Sequence, residues 1–250
     1  MNKPWPYPRL FAHRGGGSLA PENTLASIRM GQSLGYRAHE FDVKLSLDGV
    51  PLLLHDETLE RTTNGKGRAA DLPFARLHAL DAGGWHSEAF RGEPVPSFEE
   101  TARLLQSKGT MANIEIKPTP GFDRDTGRAV ALATRELWNG AAVTPLFSSF
   151  SYEALVAAKE AAPEIPRGWL IKEFGDADWK RLEALEAVSL HTSWKTLPPT
   201  RIREIHDRGY RVMLYTVNEI AAAEKLLEAG ADGLFTDNLR EFAAKFPSLI

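Results

Sequence analysis

Strand-length apolar segments and helix-length amphipathic segments alternate almost without interruption through this 250-residue chain. The strand-like segments fall at 10–13, 37–44, 50–54, 111–117, 143–148, 167–171, 187–191, 211–217 and 233–236. Helix-like segments fall at 22–35, 97–108, 127–138, 152–161, 178–185, 200–208, 220–229 and 239–246. Such alternation implies an α/β architecture with a parallel sheet, most simply a closed TIM (β/α)8 barrel. An open, doubly wound sheet is the alternative. It would be expected to carry a glycine-rich phosphate loop, and Gly15-Gly16-Gly17 does not have the GxGxxG spacing. The Asp48-Gly49 turn before 50–54 suggests a hairpin added to the series.

The rhythm breaks once, at 56–96, which is rich in Gly, Thr, Asn and Arg and carries only short helical fragments such as 73–80. Its length exceeds an ordinary connection. The expected organisation is therefore one barrel domain over 1–250, with 56–96 inserted as a small subdomain beside the barrel mouth.

Composition narrows the function classes. The net charge is -3, so no basic face for nucleic acid or polybasic membrane patch is expected. With no cysteine, disulfides, thiol catalysis and cysteine-ligated zinc are excluded. The Pro-rich start, 1–9, has no apolar run, and no segment reaches the length of a membrane span. A cytoplasmic protein without membrane or nucleic-acid partners is expected; composition does not address its oligomeric state.

The chemistry-bearing residues collect where strands end, which in a barrel is the active face. His13-Arg14 ends the first strand and His55 follows the apolar run 51–54. In a strand, positions i and i+2 share a face. Glu40 and Asp42 therefore point together, away from Phe41. Asn113, Glu115 and Lys117 point together, away from Ile114 and Ile116. Carboxylates crowded inside a barrel repel one another unless a cation sits between them. Glu40, Asp42 and Glu115 thus suit one hard divalent ion, Mg2+ or Ca2+, which favours oxygen ligands. Histidines near neutrality can move protons, and Arg14 and Lys117 can hold an anion. Together these groups point to metal-assisted cleavage of a phosphate ester. Glu22 and Asn23 either start a helix or bond to the site. Tyr215 and Thr236-Asp237 either line the pocket or make turns. Phe150 and Trp194 are candidates for apolar walls. Among the other histidines, His39 should face the helices, His78, His86 and His206 sit in helical or loop contexts, and His191 is open.

These residues resemble the glycerophosphodiester phosphodiesterase family, and within it the bacterial cytosolic members associated with glycerol 3-phosphate uptake. The likeness rests on His13-Arg14, Pro21-Glu22-Asn23-Thr24, Glu40-Phe41-Asp42, His55-Asp56, Arg61-Thr62-Thr63-Asn64-Gly65, Glu115-Ile116-Lys117, Tyr215-Thr216-Val217-Asn218 and Thr236-Asp237. It spans nearly the whole chain and departs at no catalytic position. The resemblance implies a TIM barrel with an inserted subdomain. It implies hydrolysis of a glycerophosphodiester, a small-molecule substrate, to sn-glycerol 3-phosphate and an alcohol. It further implies Mg2+ or Ca2+ on Glu40, Asp42 and Glu115, an acid–base pair of His13 and His55, and phosphate contacts from Arg14 and Lys117. The attacking group is either the substrate's own glycerol 2-hydroxyl or a water. Two other classes are a secreted phospholipase D-like barrel, for which a leader and cysteines would be expected, and a non-catalytic binder, which would need no pair of proton carriers.

Overall fold

The computed structural model describes residues 5–250; of the Pro-rich start, residues 1–4 lie outside the described part. The chain closes on itself through one sheet. The strands are β1 (Leu10–Ala12), β2 (Ala38–Leu45), β3 (Pro51–Leu53), β4 (Met111–Ile116), β5 (Leu146–Ser149), β6 (Arg167–Ile171), β7 (Ser189–Ser193), β8 (Arg211–Tyr215) and β9 (Gly233–Thr236). Their order is β1-β9-β8-β7-β6-β5-β4-β2-β3, and a β1–β2 pairing completes the ring. Every pairing is parallel except β2 with β3, an antiparallel hairpin at the Asp48-Gly49 turn. Among the described residues the fold is thus a closed barrel of eight parallel strands with one antiparallel addition.

The helices are α1 (Leu25–Ser33), α2 (Phe74–His78), α3 (Phe98–Ser107), α4 (Asp123–Leu137), α5 (Tyr152–Ala161), α6 (Asp178–Ala184), α7 (Thr200–Asp207), α8 (Ile220–Glu228) and α9 (Leu239–Lys245). The main core lies between strands and helices, with Phe41, Ile114, Phe147, Leu190 and Leu214 facing outward into it. As the alternation requires, the neighbours of those residues turn toward the barrel axis. His39 is buried against α1, where its Nδ1 bonds the Gly15 carbonyl and a Cβ on Gly31 would collide with its ring.

Three boundaries differ from expectation by three residues or more. Helix α1 begins at Leu25 rather than Glu22. Thr24 caps it, accepting from the Ser27 N–H while Ser27 reciprocates, and Asn23 turns left-handed at φ 58 just before. Helix α4 begins at Asp123, one turn before Gly127, because Asp123 and Asp125 suit the positive N-terminal end. Strand β5 begins only after Pro145, which has no N–H to give a ladder. Helix α3 is capped by Ser97 with Glu100 returning to it, as its sequence suggests.

Between β3 and α3 the chain makes two single-turn 3-10 segments and α2. This part has a small apolar cluster of its own, with Leu59, Ala69, Leu77, Ala82 and Val95 closing over Leu52 and Leu54 at the end of the hairpin. No helix of the described residues is long and apolar enough to cross a membrane.

Candidate active site

The pleat of β2 turns Glu40 and Asp42 to the barrel axis, and register pairs Asp42 with Glu115 on β4. All three carboxylates are buried, and ligand oxygens from each lie within 4.8 Å of one another. Burial and the charge of Asp42 push Glu40 well above the ordinary carboxylate range, and the same two causes raise Glu115. Asp42 goes the other way. Burial would raise it, but Lys117 and Arg14 outweigh that and hold it down, at about 2. Its Oδ1 accepts no hydrogen bond.

Two cations edge this cluster. The Lys117 ammonium donates to Glu115 at 2.6 Å, stands 3.6 Å from Asp42 and lies over the Phe150 ring. Arg14 follows β1 in the left-handed region, at φ 48. That strained turn lets its backbone N–H donate to Glu40 at 2.9 Å, while its guanidinium reaches Glu22 at 2.7 Å. Its Nε faces Asp42 at 3.6 Å with no hydrogen-bond partner. Asn23, also left-handed, grips Asp42 from both sides: its amide donates to Oδ2 at 2.8 Å and its carbonyl accepts the Asp42 N–H at 3.0 Å.

Each of the two histidines is held by a carboxylate at Nδ1. His13 bonds Asp237 at 2.6 Å, and its Nε2 stands 3.8 Å from Glu40. His55 bonds Asp56 at 2.7 Å, and Arg61 in turn clamps both Asp56 and Glu22. Burial would lower His13, but the Asp237 bond and the Glu40 charge raise it; burial lowers His55 despite Asp42. The contact of His13 with Asp237 depends on Gly17, where a Cβ would run into the Asp237 carbonyl.

The site has two compartments. A cup of about 250 Å³ opens in the barrel mouth, lined by the two histidines, Glu40, Glu115 and Lys117 and floored by Asn113 and His191. An outer groove of about 670 Å³ runs from it toward Trp85 and His86 of the inserted segment, past Glu22, Asn218 and Asp237. His13 and Arg14 line both.

Phe150 and Tyr215 therefore line the cup, Glu22 lines the groove, and Asn23 acts on Asp42 from behind. Trp194 is a correction to the expected apolar wall. It lines neither compartment; its indole N–H is spent on the Thr216 carbonyl and its ring packs against the core. Asp237, left open between pocket and turn in the sequence, lines the groove and holds His13, whereas Asp56, Arg61, Asn113 and His191 were not singled out as site residues. Asp56 and Arg61 stood within the matching motifs, and Asn113 shares the Glu115 face; His191 carried no signal beyond ending a strand.

The donor set fits a hard divalent cation: three buried oxygens converge, one Asp42 oxygen is unpartnered, and two of the carboxylates resist ionisation without added positive charge.

Comparison with known proteins identifies the family. The family model for the glycerophosphoryl diester phosphodiesterase family matches residues 13–241. A glycerophosphodiester phosphodiesterase of Caldanaerobacter subterraneus is 32% identical, over 92% of this chain and 93% of its own. One from Bacillus subtilis is 32% identical, over 90% of this chain and 82% of its own. The structure of an Oleispira antarctica phosphodiesterase in complex with the product sn-glycerol-3-phosphate superposes with a TM-score of 0.90 at 36% identity, covering 97% of this chain and 98% of that one. With strands β2 to β9, the carboxylate cluster and the paired histidines all within residues 13–241, this chain belongs to the glycerophosphoryl diester phosphodiesterase family.

Proposed function

We propose that this enzyme hydrolyses glycerophosphodiesters to sn-glycerol 3-phosphate and an alcohol, using His13 and His55 as proton carriers and one divalent cation, Mg2+ or Ca2+, on Glu40, Asp42 and Glu115. The observation that carries the reading is the shared wall: His13 and Arg14 border both the inner cup and the outer groove. A phosphodiester has two arms, and a phosphate at that wall would lay one arm in each compartment. The glycerol side takes the cup, and the leaving alcohol takes the groove that opens to solvent.

The chain's residues divide the work. Arg14 and Lys117 attract the anionic diester and hold its oxygens, with a planar fork and a point charge respectively. Glu22, paired with both Arg14 and Arg61, orients the fork. Asp237 and Asp56 fix the Nδ1 side of each imidazole, which leaves Nε2 to exchange a proton with the substrate. One histidine takes the proton of the attacking hydroxyl, and the other returns one to the departing alkoxide. A bound cation would offset much of the charge of the three carboxylates and withdraw charge from a phosphoryl oxygen.

The direct test is an assay for released sn-glycerol 3-phosphate from glycerophosphocholine, with and without chelator. Release that is abolished by chelator and restored by Mg2+ or Ca2+ is expected. Undiminished release from metal-stripped enzyme would refute the metal's role, and no release under any condition would refute the reaction.

The inserted segment enters the same reading as the wall of the alcohol groove and as a cap over substrate entry. Trp85 is its exposed aromatic there, 43% accessible. Deleting 56–96 would also uncover Leu52 and strip Arg61 from Glu22, so a point substitution is the cleaner probe. Trp85→Ala is expected to change kcat/KM unequally across choline, ethanolamine and glycerol head groups, by about 2–10-fold as one lost apolar or cation–π contact allows. Identical kinetics for all three would remove the segment from substrate selection.

A further inference from the structure

Barrel interiors of this kind are filled mostly by branched apolar side chains. The floor of the cup departs from that pattern. Asn113 on β4, Ser148 on β5 and His191 on β7 all face inward, each 1% exposed. Asn113 donates its amide to Ser148 Oγ at 2.9 Å, and His191 Nε2 meets Ser189 Oγ at the same distance. That leaves the Asn113 Oδ1 and His191 Nδ1 atoms buried with no partner. Unmatched buried polar atoms are rare and costly, and two of them lining one cavity call for an occupant.

The space is built for the histidine. Gly168 of β6 lies against the His191 ring, where any Cβ would collide with Nε2 and Cδ2. Phe235 covers one face at 5.6 Å between centroids. Burial drives the imidazole pKa down to about 3, so it stands neutral at any working pH. The occupant is therefore not being recruited by charge. Asn113 Oδ1 accepts only, and a neutral imidazole nitrogen accepts or donates according to tautomer. A phosphate oxygen without a proton has nothing to offer Oδ1, and Arg14 and Lys117 lie elsewhere in the cup to receive it. A hydroxyl satisfies both atoms.

We propose that Asn113 and His191 form a hydroxyl-binding subsite in the barrel floor that grips the free glycerol hydroxyls of the substrate, making the cup selective for a polyol arm over a plain alkyl one. The inference rests on the glycerophosphodiesterase reading above and extends it to residues away from the reacting phosphate. Neither residue is a metal ligand or proton carrier in that reading, so each is a specificity residue.

The experiment compares two ligands of the Mg2+-loaded enzyme by calorimetry: sn-glycerol 3-phosphate, and propyl phosphate, which has the same chain without hydroxyls. His191→Phe keeps a ring in the Gly168 space, and Asn113→Leu keeps the volume. Each variant is expected to weaken sn-glycerol 3-phosphate by about tenfold, the usual effect of one lost hydrogen bond to a buried group. Propyl phosphate should bind each variant as it binds the parent. His191→Gln, which keeps a polar atom, should recover part of the preference. Equal weakening of both ligands would mean that the floor only supports the barrel. An unchanged preference would mean that water alone fills it. Either result overturns the proposal. If one variant does not fold, the other carries the same comparison. A parent enzyme that binds sn-glycerol 3-phosphate no better than inorganic phosphate, and releases none from glycerophosphocholine, would instead refute the underlying reaction.

Discussion

Replacing Glu40, Asp42 or Glu115 by alanine is expected to abolish metal-dependent turnover and weaken Mg2+ binding by more than the roughly 10–100-fold that loss of a mere supporting partner costs. A cluster of buried carboxylates also has a signature in the metal-free protein. Burial and mutual repulsion raise Glu40 and Glu115 above their unfolded values, so the folded state holds protons that the unfolded state has already released. The part of metal-free stability that these two glutamates control should therefore be fully present below the ordinary glutamate range and decline as pH rises from there toward neutrality. Added Mg2+ or Ca2+ should flatten that decline and release protons as it binds, so the calorimetric enthalpy should vary with buffer ionisation heat. Glu40→Gln is neutral at every pH and so removes the cost of holding that proton. It should melt higher than the parent without metal at neutral pH and gain less from metal. A variant that melts lower without metal, together with proton-free metal binding, would show that the cluster is braced by its cations and is no metal site.

What the sequence revealed, and what it hid, follow from the range of the interactions. The pleat is local, so His39-Glu40-Phe41-Asp42 already told which residues face the axis and which face α1. The barrel was legible because each βα unit repeats that local signal. Partners brought together by ring closure were not. Asp237 meets His13 across 224 residues, only because β9 lies beside β1. Arg61 reaches Glu22 across 39 residues through a segment without periodicity. Helix α1 began late because a tertiary bond, Asn23 to Asp42, overrode helix-start signals in Pro21-Glu22. Trp194 misled because an aromatic beside a strand end looks alike whether it faces the cup or the core. His191 was hidden for the opposite reason: the room for its ring is left by Gly168 on the neighbouring strand β6, one βα unit earlier and silent as a side chain.

His13→Ala and His55→Ala should each lower turnover by on the order of 10²–10⁴, the usual worth of a positioned proton carrier. Mg2+ affinity should barely move. In the proposed arrangement three carboxylates would already give a hard ion its protein ligands, and imidazole is a poor partner for magnesium. The carboxylates behind the histidines supply the finer test. Asp237→Asn and Asp56→Asn keep a side chain within bonding distance of each Nδ1 but remove the charge that orients and supports the imidazole. Each should lower kcat by less than loss of its own histidine, with little change in KM. Combining Asp237→Asn with His13→Ala should add almost nothing to His13→Ala alone, since the aspartate acts only through the ring it holds. Pairing Asp237→Asn with His55→Ala should multiply the two losses. Calorimetric metal binding measured beside turnover decides the matter. If His13→Ala or His55→Ala loses Mg2+ as severely as Glu40→Ala, that histidine belongs to the metal's coordination shell. If the double variant of Asp237 and His13 loses far more than His13→Ala, the aspartate has a role of its own at the phosphate.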